Sequence, residues 1–413
     1  MLFTLKERKI VTLAAVGGML EFYDFAIYGF YSVYFSPLFS PNNNHLISII
    51  ESFAVFILGY LARPIGGFVF SYIGDAFGRK TVLYITIILM GGSSLGIGFV
   101  PTYYQIGYIA PIILISLRLM QGLALGGELP STYVFIYESL SKNKAIAFGL
   151  VMFGVNFGLL LGTIVNKIIN MIFTSAQVHS FGWRIPFILG GVLCLFSYYI
   201  RKSLSETNDF IHIKHKIANP LLYMLKNYFG NFIATIGISS SMAAFVVVGI
   251  IFMPTYLKEI VKVDLSLINT IMTFALFVNT LSILLFGVLS NKIDKLKLFK
   301  FLLVIMAIIV PISFYLFYLK YYAVGVFLIA TVQGGAAMLT PFIITSLFPT
   351  KIRLTGVALA YNISFTIFGG LSPVLISTFI NMGDNIYITP FLYLEIIVLM
   401  ICPLSLQFIK DVN

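Results

Sequence analysis

Glu21 and Asp24 stand three residues apart in GGMLEFYDFAIYGF (residues 17–30), inside a long apolar run, and Arg118 lies inside another, close to Gln121 and Glu128. Acids and a guanidinium in such segments are costly to keep from water. The chemistry that justifies them is holding and releasing a proton, or gripping a charged solute. A separation of three puts Glu21 and Asp24 on one helix face, shared with Gly17, Tyr28 and Tyr31. Counted by helical rise, both carboxylates come about midway through a bilayer, and Arg118 comes at a similar depth on its own helix. A mid-membrane arginine needs an anion, and Glu21 or Asp24 is the natural partner. Asp24, beside Tyr23 and Tyr28, is the choice for coupling or substrate contact, and Glu21 the choice for pairing with Arg118. The competing reading is a permanent structural ion pair. A carboxylate there feels the cost of burial against the attraction of the guanidinium. A conformational change that separates the pair would load a proton.

Other polar residues in apolar runs extend this set. Arg63, followed by Pro64, either binds a substrate carboxylate or holds an inner gate closed. Glu128 is nearer the inner side, where a proton site and a gating partner compete evenly. Glu51 and Glu395 fall toward the outer ends of their runs and read as interfacial. The second half of the chain offers Asn279, Gln333, Tyr361 and Asn362. Each alone reads as interhelical glue. As a set, with Tyr23, Tyr28, Arg63 and Gln121, they are candidate substrate contacts. This divides labour between charge coupling in the first half and polar contacts in the second.

The elements that must position these residues are membrane helices. Of 413 residues, 59% are hydrophobic and 10% charged, against roughly 25% charged in soluble domains. Twelve apolar spans are expected, at about 10–36, 47–73, 81–101, 107–138, 145–171, 184–202, 227–257, 265–290, 299–319, 322–347, 355–381 and 387–409, each long enough to cross a bilayer. The basic start, MLFTLKERKI, leads into a run without a small-residue cleavage site, so it reads as the first span and not a removed signal. The net charge of +11 is dispersed between the spans, so loop charge bias explains it and nucleic-acid binding is not expected. With the N-terminus inside, nineteen of the 26 lysines and arginines fall in inner segments, five in outer segments and two within spans. The positive-inside rule then places both termini in the cytoplasm.

Cys194 and Cys402 sit in apolar runs and read as packing residues. The four histidines, His45, His179, His212 and His215, are all in loops. No metal site, ATP-binding loop, cofactor or intramembrane nucleophile–base pair is indicated, and no enzymatic activity is expected.

The two halves resemble each other. SYIGDAFGRK after span 2 has a degraded counterpart, GVLSNKIDK, after span 8. MQGLALGGELP parallels VQGGAAMLTP, and FGLVMFGVNFGLLLG parallels TGVALAYNISFTIFG. Gln121 maps to Gln333, Gly149 to Gly356 and Gly162 to Gly369. The fold expected is all-α and polytopic, with twelve transmembrane helices in two pseudo-symmetric six-helix bundles, residues 1–202 and 227–413, joined by a cytoplasmic loop at 203–226. Repeated halves around a central site are the architecture of an alternating-access transporter.

These motifs resemble the major facilitator superfamily over nearly the whole chain. Asp75, Gly78, Arg79 and Lys80 fit its motif between spans 2 and 3, although Ser71 replaces the usual glycine and Ala76 the usual basic residue. Arg118, Gln121 and Gly122 resemble its span-4 motif. LEFYDF, ARPIGG, RLMQGLALGGE, GWRIPF and LFPTKIRLTGVALAYN are similar to the metabolite–proton symporter branch, which contains proline/betaine, 2-oxoglutarate and citrate carriers. The resemblance implies an inner-gate network of Asp75, Arg79 and Glu138, with Gly78, Lys80 and Arg353 beside it and Asp75 near the N-terminus of span 11. It implies proton-coupled uptake of a small polar metabolite such as an amino acid, betaine or organic acid, by a monomer in a bacterial inner membrane. Its partners would be the substrate, protons and lipid. The alternative is an exporter or exchanger of a metabolite or drug. Proton-coupled drug exporters usually carry Gly-Pro in span 5. Here Gly158 is followed by Leu159, and Gly154, Gly158 and Gly162 form a small-residue ladder. Osmosensing members carry a long C-terminal coiled-coil tail; with the sequence ending at Asn413, that form of regulation is not expected.

Overall fold

A computed structural model describes residues 2–39, 45–213, 217–382 and 388–409, with side chains at 25, 30, 32–37, 45–57 and 381–382 outside the description. His45 and Glu51 fall in that group, and Lys214, His215, Lys216 and Lys410 lie outside the described residues.

Twelve long helices follow one another: α1 (Leu5–Phe39), α2 (His45–Phe77), α3 (Arg79–Phe99), α4 (Ile109–Ser139), α5 (Lys144–Ile172), α6 (Arg184–Arg201), α7 (Phe229–Ile251), α8 (Leu265–Leu289), α9 (Lys295–Tyr318), α10 (Tyr322–Ser346), α11 (Thr350–Ile380) and α12 (Thr389–Leu406). Eleven are apolar enough to cross a membrane by length and composition, and α2, at 33 residues, is the twelfth. The protein is an integral membrane protein.

Two ends differ from expectation. α2 runs on to Phe77 and α3 starts at Arg79, so the SYIGDAFGRK motif is a corner between two helices and not a loop. Gly78, at φ 112°, makes that corner in a backbone region that side chains avoid. α7 stops at Ile251, short of the expected 257, and a separate short helix begins at Met253. Pro254 has no N–H to continue the ladder.

Within the first half α1 packs on α5, α2 on α4, and α3 on α4 and α6. Glycines permit this. A Cβ at Gly154 or Gly158 would lie 2.3 or 2.1 Å from the carbonyl oxygens of Ala15 or Met19 on α1. In the second half α8 and α9 pack on α10, and α7 on α11 and α12. The halves meet along two seams, α2 with α11 and α5 with α8. These pairs exchange when first-half helices are matched to their second-half equivalents, as two repeated bundles require.

The segment expected as a plain loop between the halves carries two short helices. Asn208–Ile211 is capped by the Thr207 hydroxyl, and Pro220–Asn227 is capped by Asn219 with proline at its first position.

Candidate functional site

The α1 stripe points inward as its spacing predicted: Glu21, Asp24, Tyr28 and Tyr31 are each at most 2% exposed. At its centre Gln121 of α4 stands between an acid and a base. Its amide nitrogen donates to Asp24 and to the Ser94 hydroxyl of α3 (2.9 Å). Its carbonyl oxygen accepts from Arg118 Nη1 at 2.5 Å. The Arg118 guanidinium lies 3.3 Å from the centre of the Tyr28 ring. Arg118 and Asp24 are therefore joined through an uncharged relay. The expected Glu21–Arg118 pair does not form, because Gln121, one helical turn along α4, takes the guanidinium first.

Further along α4 toward its Ser139 end, Glu128 forms an ion pair with Arg201 of α6 (2.6 Å) and accepts from the Thr86 hydroxyl of α3. Arg201 also donates to the Leu83 carbonyl (3.2 Å) and lies so close to α1 that a Cβ on Gly17 would overlap its guanidinium. Glu21 comes between this pair and the Asp24 relay along α1. Neither of its carboxylate oxygens has a hydrogen-bond partner among the described residues.

Tyr23 does not face this cluster. Its hydroxyl donates to the Pro186 carbonyl of α6 (2.9 Å), because residue 23 is rotated by one position onto the α1 side that packs against α6. Its hydroxyl, expected as a substrate contact, is engaged here in a packing contact, while its ring stays beside Asp24 at Gly190.

Arg63 reaches across the α2–α11 seam. Its Nε donates to Asn362 Oδ1 at 3.3 Å, and its guanidinium lies 5.5, 5.9 and 5.1 Å from the ring centres of Tyr60, Tyr361 and Phe365. Asn362 in turn donates to the Gly126 carbonyl of α4 at 2.7 Å. Phe365 opens a π-helical turn of α11, Phe365–Gly370. Such turns re-aim side chains and recur at functional sites. Tyr361 meets Tyr133 of α4 edge-on at 5.8 Å. A crevice lined by Tyr60, Arg63, Arg118 and Gln121 joins this cluster to the relay.

At the α5–α8 seam, Asn156 donates to Asn279 (2.7 Å), and Asn279 donates to Gln333 and to the Ala330 carbonyl (2.8 Å). Asn279 is thus bonded both to Gln333 and to the opposite half, while Tyr361 and Asn362 belong to the Arg63 cluster.

At the end of the bundle that carries the α2–α3 corner the two halves are locked together. Arg79 pairs with Glu138 (3.0 Å) and Asp75 (3.2 Å) and donates to the Thr350 carbonyl (2.5 Å). Arg353 of α11 pairs with Glu138 at 2.7 Å. Asp75 accepts from the Thr355 backbone N–H (2.9 Å) and hydroxyl (2.7 Å), in the first turn after Arg353, where a helix favours an anion. The linker joins in. Thr207 donates to Glu138 (2.9 Å), Asp209 lies 3.7 Å from Arg353, Phe210 sits under the Arg79 guanidinium at 4.7 Å, and Glu206 accepts from the Lys80 backbone N–H at 3.1 Å. A Cβ on Gly78 would collide with Glu206. Four of the gate residues named from sequence form the lock itself, and Gly78 and Lys80 place the strap over it.

Arg201, Thr86, Ser94, Asn156 and the strap residues 206–210 were not anticipated. Arg201 had a signal: it is an arginine in a chain that mostly uses lysine for inner charge. Arg184, by contrast, holds two backbone carbonyls, Gly98 (3.1 Å) and Val100 (2.6 Å).

Comparison with known proteins agrees with the twelve-helix fold. Residues 14–373 match the Major Facilitator Superfamily. A Staphylococcus aureus (strain COL) protein named as a proline/betaine transporter is 31% identical over 95% of this chain and 86% of its own. The glycine betaine/proline/ectoine/pipecolic acid transporter OusA of Dickeya dadantii is 29% identical over 94% and 81%, and the alpha-ketoglutarate permease of Escherichia coli is 30% identical over 86% and 84%. Among solved structures, the proton:xylose symporter XylE bound to 6-bromo-6-deoxy-D-glucose superposes with a TM-score of 0.83 at 16% identity, covering 98% of this chain and 96% of that one.

Proposed function

This chain belongs to the Major Facilitator Superfamily, and we propose that it takes up a small polar metabolite together with a proton, by alternating access across a bacterial inner membrane. The observation that carries this reading is the Arg118–Gln121–Asp24 relay, a buried acid joined to a buried base by a neutral group that either of them can release. When the helices shift and the relay opens, Asp24 loses its donor and takes a proton; when it closes, the proton leaves. The locked end, with Asp75, Arg79, Glu138 and Arg353, is the cytoplasmic gate in its closed state. The lysine and arginine bias supports that orientation. The relatives' names support amino acids, betaines or 2-oxo acids as the substrate range.

The test is proton movement in proteoliposomes. Proline, glycine betaine, 2-oxoglutarate and citrate are added one at a time outside, and external pH is followed. Alkalinisation with one compound, absent from empty vesicles, is expected. Exchange of that compound without any pH change would remove the proton from the reading and leave a uniporter or exchanger.

A further inference from the structure

Five acids are buried among the described residues of the first half: Glu21, Asp24, Asp75, Glu128 and Glu138. Four are bonded. Asp24 holds Gln121, Asp75 holds Thr355 and Arg79, Glu128 holds Arg201, and Glu138 holds Arg79 and Arg353. Glu21, 2% exposed, has no hydrogen-bond partner on either oxygen among the described residues. Burying a carboxylate without a partner is costly, and a folded chain retains such a group where something else completes it.

Three charged groups act on Glu21 through space and none bonds to it: the Glu128 carboxylate, which repels it, and the guanidinium groups of Arg63 and Arg201, which attract it. Arg201 is consumed by Glu128. Arg63 meets no carboxylate among the described residues; it bonds an amide and lies over three rings. An unsatisfied acid and a base without an acid thus face the same interior. Tyr133 and Tyr361, set edge-on to each other, also lie within electrostatic range of Glu21.

We propose that Glu21 is the cation subsite of a zwitterion site whose anion subsite is Arg63, with Tyr133 and Tyr361 as its aromatic walls. This rests on the metabolite-transport reading and narrows it. A zwitterion completes both groups at once: its carboxylate bonds the Arg63 guanidinium, and its ammonium sits against Glu21 and the ring faces, which attract cations. A dicarboxylate would place a second anion toward Glu21, and like charges at close range discriminate strongly against a ligand. The site selects amino-acid-like or betaine-like solutes over organic diacids, although relatives of both kinds exist.

Matched ligand pairs test this on purified full-length protein. Glycine betaine is compared with 3,3-dimethylbutyrate, which has carbon in place of the charged nitrogen, and proline with cyclopentanecarboxylate. Binding is read by ligand-induced thermal stabilisation. Wild type is expected to favour at least one zwitterion over its uncharged-centre analogue by more than about tenfold, the scale of one charge-assisted contact. Glu21→Gln should collapse that ratio to near one and raise relative affinity for 2-oxoglutarate. Glu21→Asp, which keeps the charge, should fall between and controls for folding. A ratio unchanged in Glu21→Gln overturns the subsite, as does a wild type that binds both members of each pair equally. A wild type that binds only 2-oxoglutarate or citrate also overturns it. In that case the pH response in proteoliposomes still decides, separately, whether transport is symport.

Discussion

The two halves share a helix plan and a glutamine at matching positions, yet they use it differently. In the first half Gln121 joins a guanidinium to a carboxylate. In the second half Gln333 accepts from an asparagine, which is itself bonded to Asn156 across the seam. One half surrounds its glutamine with groups whose charge can change, and the other with groups whose charge cannot. On the proposed reading, proton work falls to the first bundle, while around the matching glutamine the second offers only neutral amides. The difference lies in the neighbours of the glutamine and not in the backbone.

The largest expected effect comes from removing the titrating member. Asp24→Asn is expected to abolish proton-coupled uptake in proteoliposomes while exchange of internal for external substrate continues at a measurable rate. Coupled uptake near the wild-type rate would move the proton to another acid and break the comparison. Next is Arg118, whose flat guanidinium both bonds Gln121 and stacks on Tyr28. Lysine keeps the charge but cannot do both, so Arg118→Lys should be nearly as damaging as Arg118→Ala in the same assay. A fully active lysine variant would show that charge alone suffices.

The paired glutamines sharpen the contrast. Gln121→Leu removes the amide that donates to Asp24, a loss of about 1–3 kcal/mol for a buried group, or roughly five- to 150-fold in coupled uptake. Gln333→Leu orphans only an amide and should slow uptake less while lowering the melting temperature. Equal effects of the two on coupling would erase the asymmetry. The smallest effect is at the second half's surface. Asp264 caps α8, and bonds from the Ser266 hydroxyl and from the Ser266 and Leu267 backbone N–H groups hold its carboxyl below the usual aspartate range. A lowered folded-state value means the cap stabilises above the ordinary aspartate range and is lost as pH falls through the lowered one. Asp264→Ala should lower the melting temperature slightly near neutral pH, and the gap should close in strong acid. A gap that persists there would mean the side chain acts by packing.

Much of this was legible in the residues. The α1 stripe followed from a three-residue spacing in an apolar run, and the small-residue ladder at Gly154 and Gly158 from its period. That Asp75, Arg79 and Glu138 form one ion-pair network followed from their resemblance to a known pattern. What escaped were partners chosen by helix phase and rotamer. Whether Arg118 meets Glu21, Asp24 or Gln121 depends on how two helices are rotated against each other, which neither helix states alone. Arg201 was hidden among inner-face basic residues because charge bias gives every such residue the same explanation. The strap escaped because a helix as short as Asn208–Ile211 has no period to read. Pro254 and Gly78 did carry their signals, since one cannot donate and the other can turn where no side chain fits.

A chain built from two matching halves has its helix plan in duplicate, but not the join. The segment at 206–210 belongs to that join, and it can lie against only one of two equivalent corners. It lies against the first, where Gly78 leaves room for Glu206 and Arg79 rests on Phe210. The equivalent corner of the second half, between α8 and α9, carries Ser290, Asn291 and Lys292, and there Asn291 reaches Asn143 through an amide contact. An odd component in an even design obliges the design to choose a side. The richer lock at the first corner and the plainer one at the second follow from there being a single tether to share between them.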